Sequence, residues 1–382
     1  MNQILIFATT LIIQFIITVE MNMMGTLAPF FVDYFNIRSN LVILFNLGFS
    51  AVGIFVPYLG ILADRFGKKK ILKLALLFFL AGCLLAGLSS SPLLFALSRM
   101  LIGLGYFSLS GTNLAYISEF ISYENRGKAS GALRIAFGVA TILTPLFVTS
   151  QINRFHNLSS VYYPIMVLGI ISFLLLLKLP ETVRKEDSKF DIKKFLLLFK
   201  EEKSKKILLS VFFISTSPTL VMNFLGIYLV EKFNLTQNYV GLSYTIIAIG
   251  TISGILLASV FTDRVGKLKF SRAMFVLMVL SVLPMLFLKA PLLIVISAAL
   301  FAIGIDGGWT AYQTYATEIS PENRGTFMNL FYTMNALTVT FYSIVGSFIY
   351  SIGGFKLAVI LSFIISSIGV IIINSLSETT QN

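Results

Sequence analysis

The sequence predicts an all-α membrane protein with twelve transmembrane helices arranged as two parallel six-helix halves. Of its 382 residues, 57% are hydrophobic and only 12% are charged, and the mean hydropathy is +0.88. Soluble globular proteins carry about 25% charged residues, so this composition excludes a soluble fold. The number of spans and their division into halves follow from the apolar runs, the charge pattern and an internal repeat.

Twelve apolar runs are long enough to cross a hydrocarbon core of roughly 30 Å, which takes about 20 helical residues. Each run is expected to be helical, because an open strand would leave backbone groups unpaired in lipid. The runs cover residues 4–29, 41–62, 71–89, 93–117, 130–150, 161–179, 207–230, 240–261, 273–289, 292–316, 327–349 and 355–375.

The positive charges predict the orientation. Loops on one predicted side of the membrane hold 22 of the 29 Lys and Arg residues, and loops on the other side hold five. The remaining two, Arg99 and Arg134, lie inside spans. By the positive-inside rule, both termini and the central loop face the cytoplasm, which places the protein in the cell membrane. The net charge of +12 is then explained by topology and the lipid bilayer, and no nucleic-acid partner is needed.

The central segment divides the chain. We expect an apolar patch at 195–199, flanked by Lys194 and Lys200, to form a short helix on the inner membrane surface. The predicted domains are residues 1–179, the linker 180–206 and residues 207–382.

Catalytic and metal chemistry is not predicted. Cys83 and His156 are the only cysteine and the only histidine, so a disulfide framework, a histidine metal site and a Ser/His/Asp triad are all excluded. We expect a monomeric protein that acts on a small molecule, with no cofactor, no catalytic residues and no enzymatic activity.

Short segments recur at a nearly constant offset of about 198 residues. Four matches in register at equivalent span ends indicate an internal duplication, which is the architecture of alternating-access transporters. Residues 32–37 return at 230–235, 64–68 at 263–267, 121–127 at 319–325, and 179–182 at 376–379.

These motifs resemble the major facilitator superfamily over the whole chain. Residues 60–70 (GILADRFGKKK) are similar to the signature loop between its second and third helices, and 263–269 is a degenerate copy. Residues 99–105 (RMLIGLG) are similar to its helix 4 motif. The segments that begin at Glu119 and Glu318 each lead to an Arg-Gly pair a few residues later. These segments resemble the corresponding motifs of sugar porters and metabolite symporters.

The resemblance implies a gate network at the cytoplasmic side. Asp64 is expected to accept hydrogen bonds from a neighbouring helix N-terminus, and the lysines after Gly67 are expected to hold the loop against lipid headgroups. The alternative is that these charges only fix the topology. The implied gate residues are Asp64, Arg65, Gly67, Glu119, Arg126, Asp263, Arg264, Glu318 and Arg324.

Charges inside spans mark ion or substrate pathways by default, because each costs about 2.5–3.5 kcal/mol at the bilayer centre. We expect Glu20 and Arg99 to form an ion pair, which is either structural or trades the arginine for a proton or an anionic substrate. Asp306 has no partner evident in its own half, and a carboxylate held neutral by burial suits a proton carrier. Arg134 either snorkels to the cytoplasmic surface or lines the cavity.

Polar and aromatic residues deep in the spans are candidate substrate ligands. The alternative for each is that it joins neighbouring helices. Trp309 is the only tryptophan and lies away from the membrane interfaces, so it is suited to stacking on a ring. The candidates are Asn22, Asn113, Arg134, Asn223, Trp309, Tyr312, Gln313 and Asn335.

Three transport modes remain open. Glu20 and the two acid-to-Arg-Gly motifs favour proton-coupled symport of a sugar, organic acid or similar metabolite, although the seventh span lacks the paired glutamines of hexose carriers. A proton/drug antiporter also uses Glu20 with Arg99, but its signature near Pro145 is eroded, with Ala140 and Thr144 at expected glycines. The third mode is an uncoupled facilitator, and a membrane enzyme or channel lacks the residues it needs.

Overall fold

The computed structural model describes residues 2–121, 126–182, 198–319 and 324–377, without the side chains of 2, 3, 126–130, 324 and 325. Every regular element in these ranges is helical, as the hydropathy predicts. The linker residues 183–197, where most of the short surface helix was expected, lie outside the described residues.

Twelve α-helices are present in the described ranges. Short 3₁₀ segments at Ser39–Leu44 and Leu283–Leu286 accompany them. The helices are α1 (Asn2–Phe35), α2 (Phe45–Gly53), α3 (Val56–Phe66), α4 (Lys68–Gly87), α5 (Pro92–Phe120), α6 (Arg126–Phe155), α7 (Ser159–Leu177), α8 (Glu202–Phe233), α9 (Gln237–Val265), α10 (Lys267–Val282), α11 (Pro291–Ala316) and α12 (Arg324–Asn374).

These helices do not map one to one onto the twelve predicted spans. Among the described residues, ten helices are long and apolar enough to cross a membrane, or eleven if the second span counts as one broken crossing. That second span is bent by 46° between α2 and α3. Pro57 has no N–H to donate to the carbonyl of Gly53, which explains a break here.

The last two predicted spans are merged in α12. This helix has 51 residues, and at 1.5 Å per residue it would be about 77 Å long, more than twice the hydrocarbon thickness. Gly354, with φ 58° and ψ −155°, interrupts it between the two apolar runs. Glycine tolerates this conformation because it has no Cβ.

The first compact unit comprises Met1–Asn36 and Phe45–Phe190. In it, α1 packs against α5, α6 and α7, and α4 packs against α5 and α7. Buried aromatic rings stabilise one end of this unit, where Phe31, Phe45 and Phe95 contact one another with ring centroids 4.7–5.3 Å apart.

The second unit comprises Ile37–Leu44 and Asp191–Asn382. Here α8 packs along α12, and α11 packs against α9 and α10. The segment Ile37–Leu44 belongs to this unit through side-chain hydrogen bonds: Ser39 donates to Glu231, and Asn40 Nδ2 donates to Ser347 Oγ at 3.1 Å. The Tyr350 hydroxyl donates to the same Glu231 carboxylate at 3.0 Å.

The duplication extends to the packing of helix backbones. A Cβ at Gly105 on α5 would lie 2.7 Å from the Ala75 carbonyl oxygen on α4. A Cβ at Gly304 on α11 would lie 2.7 Å from the Met274 carbonyl oxygen on α10. Both residues of the second contact are displaced by 199 positions from those of the first, so the two units share the same glycine-mediated helix crossing.

A second close crossing joins α9 to α11. A Cβ at Gly254 would lie 2.5 Å from the carbonyl oxygen of Ile303 and 2.9 Å from the amide nitrogen of Gly307. One turn earlier, a Cβ at Gly250 would lie 2.5 Å from the carbonyl oxygen of Ala299. Small residues allow such contact between backbones in a membrane.

Replacing Gly254 with Ala should therefore separate α9 from α11. We expect a loss of about 1–3 kcal/mol in unfolding free energy, the usual cost of overpacking, and a lower melting temperature in detergent. The control is Gly111→Ala on α5, where a Cβ meets nothing within 4 Å. The control should melt at the parent temperature or above it, and equal melting of the two variants would contradict the close crossing.

Candidate functional site

The structure brings Glu20 of α1 and Arg99 of α5 into an ion pair, as expected from the sequence. The carboxylate is 0% exposed and the guanidinium 2% exposed. Charges this deeply buried are stable only when paired, because removing one partner leaves an uncompensated charge. The pair is thus part of the core of the first unit.

Aromatic side chains surround the guanidinium. The Arg99 Cζ atom lies 4.5 Å from the ring centroid of Phe49 on α2, which is a cation–π contact. The fully buried Tyr162 on α7 places its hydroxyl beside the same guanidinium. In this conformation the ion pair is closed to solvent on all sides.

Asp306 has a partner, contrary to the sequence-based expectation. The hydroxyl of Thr251 on α9 lies beside its carboxylate. The glycine crossing at Gly254 explains the contact, because it brings the α9 and α11 backbones together one turn away. Asp306 remains half-buried, and within the described residues it forms no ion pair.

Three of the predicted substrate ligands are asparagines that donate to helix carbonyls. Asn22 Nδ2 donates to Thr18 at 2.8 Å and Asn223 Nδ2 to Thr219 at 2.7 Å, both within their own helices. Asn113, 1% exposed, donates across to the Thr10 carbonyl at 2.9 Å. Asn113 therefore joins α5 to α1 in this conformation, and substrate contact by all three stays a prediction.

The other predicted ligands in the second unit lie together on α11 and α12. Gln313 Nε2 donates to the Tyr332 hydroxyl at 3.0 Å, and the Trp309 ring centroid lies 4.9 Å from that of Phe331. Tyr312 is fully buried, with its hydroxyl 2.6 Å from Ser210 Oγ on α8. The half-buried Asn335 lies one turn beyond Phe331 on α12.

The predicted gate acids Glu119 and Glu318 each pair with a lysine near the ends of helices. Lys68 binds Glu119 in the first unit, and Lys267 binds Glu318 in the second, again 199 residues apart. Lys68 is the first residue of α4 and follows Gly67, whose φ of 91° matches the 97° of Gly266 in the repeat. These lysines were not among the predicted gate residues.

The expected roles of the signature loop need correction. Lys68 and Lys69 are buried, at 9% and 6% exposed, so they do not hold the loop against lipid headgroups. Asp64, near the end of α3, lies 3.6 Å from Lys68 Nζ at the start of α4, and its expected bond to a helix N-terminus stays a prediction. The first N–H of α4 donates to Thr182 Oγ1 at 2.7 Å.

Sequence reasoning also missed a set of contacts at the end of each unit. Lys69 Nζ donates to the Leu179 carbonyl at 2.6 Å and binds Glu181 at 3.3 Å, and the Tyr116 hydroxyl donates to the Pro180 carbonyl at 2.9 Å. With the contact of Thr182 described above, every residue of the segment Leu-Pro-Glu-Thr at 179–182 takes part in one of these contacts. The recurrence of this segment near residue 376 is the feature of the sequence that could have indicated these contacts.

The second unit has matching contacts. The Tyr315 hydroxyl donates to the Ser377 carbonyl at 2.8 Å, 199 positions from Tyr116. Arg272 on α10 donates to the Ile373 carbonyl at 3.2 Å and to the Leu376 carbonyl, capping the end of α12. In both units, a cation near the start of the third helix of the repeat satisfies carbonyls that helix ends leave without donors.

The gate role of the remaining candidates stays a prediction. Arg65, Asp263 and Arg264 are exposed, and Arg65 lies over the Phe66 ring at 5.6 Å. The side chains of Arg126 and Arg324 lie outside the described residues. No group of His, Cys, Asp and Glu suited to a metal ion occurs in the described ranges.

Replacing Glu20 with Gln should destabilise the protein strongly. The change leaves a buried guanidinium without a counter-charge, so we expect a loss of about 3–5 kcal/mol in unfolding free energy, measured by melting in detergent. The double variant Glu20→Met with Arg99→Met removes both charges and should recover most of that loss. A single variant as stable as the parent would show that the pair is open to water.

Replacing Lys68 with Met should cost about 1.5–3 kcal/mol of unfolding free energy, because the Glu119 carboxylate loses its charged donor. The matched control is Lys70→Met, since Lys70 is exposed two residues later and should change stability by less than about 0.5 kcal/mol. Chemical denaturation of the two variants in the same detergent makes the comparison. Equal stabilities would contradict a structural role for the Lys68 pair.

Comparison with known proteins gives the family from the sequence and the fold from the structure. A family model described as Major Facilitator Superfamily matches residues 10–214 and 207–378. The crystal structure of a D-xylose–proton symporter superposes with a TM-score of 0.77 at 15% identity, covering 100% of this chain and 98% of that one. At that identity the likeness shows the fold alone.

Two curated relatives from Bacillus subtilis (strain 168) share shorter segments. The uncharacterized MFS-type transporter YfiU is 33% identical over 149 residues, which are 37% of this chain and 28% of that protein. Multidrug resistance protein 3 is 30% identical over 118 residues, 30% of this chain and 23% of that protein. These matches cover less than a third of either relative, whereas the family model matches nearly the whole chain. The protein is a multi-pass membrane transporter, not an enzyme, and it belongs to the major facilitator superfamily.

Proposed function

We propose that this protein is a secondary active transporter that takes up a small organic solute together with protons. The solute is a sugar, an organic acid or a similar metabolite, and the proton is the coupling ion. Two six-helix halves, with twelve crossings in total, would alternate access to a central site. The break in α12 at Gly354 supports counting that helix as the eleventh and twelfth crossings.

Asp306 is the observation that carries the proposal. Its half-buried carboxylate lies near the middle of α11, with the Thr251 hydroxyl as its partner. A hydroxyl can donate to a carboxylate or accept from a carboxylic acid, so this partner suits both protonation states. A site that holds either form can load a proton on one side of the membrane and release it on the other.

Glu20 and Arg99 are the second element of the proposed coupling. Their closed pair would have to open for the carboxylate to take a proton, and the guanidinium would then be free for another partner. Charge exchange of this kind couples proton movement to conformational change, because a bare buried charge is unstable in either half of the cycle.

The cellular setting is part of the proposal. The 22 cations on one side support cytoplasmic termini and insertion in the cell membrane. We propose a monomer that needs the lipid bilayer and a small-molecule substrate, without nucleic acid, metal or another cofactor.

A proton/drug antiporter is the second candidate. The observation that favours it is the 30% identity with a relative named multidrug resistance protein 3. The Glu20–Arg99 pair fits this mode equally well, so the direction of proton movement is what separates the two.

Internal pH in dye-loaded proteoliposomes tests the proposal. External sugars, organic acids and lipophilic cations are added in separate pools, and we expect acidification with a sugar or acid pool. Alkalinisation, above all with the cations, would replace symport by antiport. Both signs are independent of the orientation in which the protein inserts.

Replacing Asp306 with Asn tests the coupling residue. We expect the variant to retain downhill solute flux and to lose proton movement and accumulation, because the amide cannot titrate. The control is Asp33→Asn, an identical change at an exposed carboxylate near the outer end of α1. Unchanged accumulation in the Asp306 variant would assign coupling elsewhere, and solute flux without proton movement in the parent protein would indicate an uncoupled facilitator.

A further inference from the structure

Arg134 on α6 is an exposed cation inside a membrane-spanning helix. It lies eight residues after the helix start, about 12 Å along the axis. Within the described residues, no carboxylate lies close enough to form an ion pair with it. An arginine keeps its charge at all physiological pH values, so it cannot become neutral as Asp306 can.

The helical face on which Arg134 lies is a protein-facing one. Thr141 comes seven residues later, about 20° away on the helical wheel, and is 2% exposed. The exposed apolar residues Ile135, Val139 and Leu146 mark the lipid-facing side, roughly 100–140° away. Arg134 is therefore exposed on a face that is packed two turns further along and that differs from the lipid-facing side of α6.

Gly131, one turn before Arg134, is also open. A Cβ at Gly131 would meet nothing within 4 Å. The start of α6 beside Arg134 is thus unpacked, although the Arg134 face is packed further along the helix. A small molecule could reach Arg134 from this open end.

The internal repeat shows what occupies the matching position in the other unit. The offset of 198 makes Tyr332 of α12 the repeat equivalent of Arg134, and Tyr332 is also exposed, at 41%. Its hydroxyl accepts a hydrogen bond from Gln313 at 3.0 Å. One unit therefore presents a cation at this place, and the other presents a neutral hydrogen-bonding pair.

The other charges inside spans are already satisfied. Glu20 and Arg99 neutralise each other, and Asp306 has a hydroxyl partner. Arg134 is the charge that lacks a partner within the described residues. We propose that Arg134 binds the anionic group of the transported solute, so that the substrate class is a small organic anion such as a carboxylate or an organic phosphate.

This inference rests on the proposed transport function, and it narrows that function to anions. A guanidinium binds carboxylates and phosphates through paired N–H donors, which gives both affinity and orientation. A lipid headgroup phosphate would offer the same chemistry, and the experiment separates it from a soluble anion.

Ligand-induced stabilisation of purified protein in detergent is the measurement. Melting is followed through the emission of Trp309, the sole tryptophan, while the concentration of each probe is raised at constant ionic strength. The probes are sodium salts of lactate, benzoate, citrate and a hexose phosphate, each paired with its neutral amide, ester or sugar. The cation benzylammonium and nanodiscs with and without phosphatidylglycerol complete the set.

We expect at least one soluble anion to raise the melting temperature saturably while its neutral counterpart does not. In Arg134→Gln the affinity should fall about tenfold or more, and Arg134→Lys should retain part of it. The matched control is Arg154→Gln, an exposed arginine at the outer end of the same helix, which should bind as the parent does.

Several results would overturn the proposal. The first is that no soluble anion raises the melting temperature, the second is that neutral or cationic probes bind equally well, and the third is that binding is unchanged in Arg134→Gln. The fourth is a response to phosphatidylglycerol alone, which would assign Arg134 to lipid binding. The melting assay involves no proton movement, so it tests anion binding separately from proton coupling. Anion binding in this assay without a pH change in proteoliposomes would contradict the proposed proton coupling and would still support anion binding by Arg134.

Discussion

Direct contact between helix backbones is the constraint on which the rest of the structure depends. In lipid, helices gain little by burying apolar surface against one another, so close van der Waals packing has to hold them. Glycines on α5, α9 and α11 allow that approach, and a Cβ at Gly105, Gly250, Gly254 or Gly304 would enter a neighbouring backbone. The side-chain contacts follow from this packing, because Thr251 reaches Asp306 only where α9 and α11 cross closely.

The same packing sorts the charges by their environment. Glu20 and Arg99 lie where helices and aromatic rings enclose them, and there a charge needs a partner for as long as it stays buried. Lys68 and Glu119 lie at helix ends, where the lysine also neutralises part of the signature loop. Asp306 and Arg134 lie at incompletely packed positions. A charge at such a position can change its partner or its proton directly, whereas the enclosed pair has to open first.

Much of the fold could be predicted from the sequence, because a hydrocarbon solvent restricts which residues a span can contain. The Glu20–Arg99 pair was evident because charges in apolar runs are few. The repeat was evident because four short segments recur in register at equivalent span ends. The contacts of Lys68 and Lys69 were not evident. A lysine at a span end normally lies at the interface, and its neighbours in sequence do not reveal that carbonyls of a distant helix end lie within reach.

Other misses have different physical causes. Thr251 is one of many hydroxyl residues in the spans, and only the crossing at Gly254 distinguishes it as the partner of Asp306. The bend between α2 and α3 did have a local signal, because Pro57 removes a hydrogen bond from Gly53. The apolar run continues through the bend, so hydropathy alone merges the two helices.

The segment Ile37–Leu44 has a consequence for the order of folding. Its polar side chains come early in the chain, yet Ser39 and Asn40 find their partners 192 and 307 residues later. The contacts that join α4 to the end of α7, by contrast, span at most about 115 residues and lie within one unit. During synthesis the first unit can complete these contacts early, whereas Ile37–Leu44 has to wait until α8 and α12 are inserted. Docking of this segment is therefore a late step, and its protection from hydrogen exchange would report that the second unit is complete.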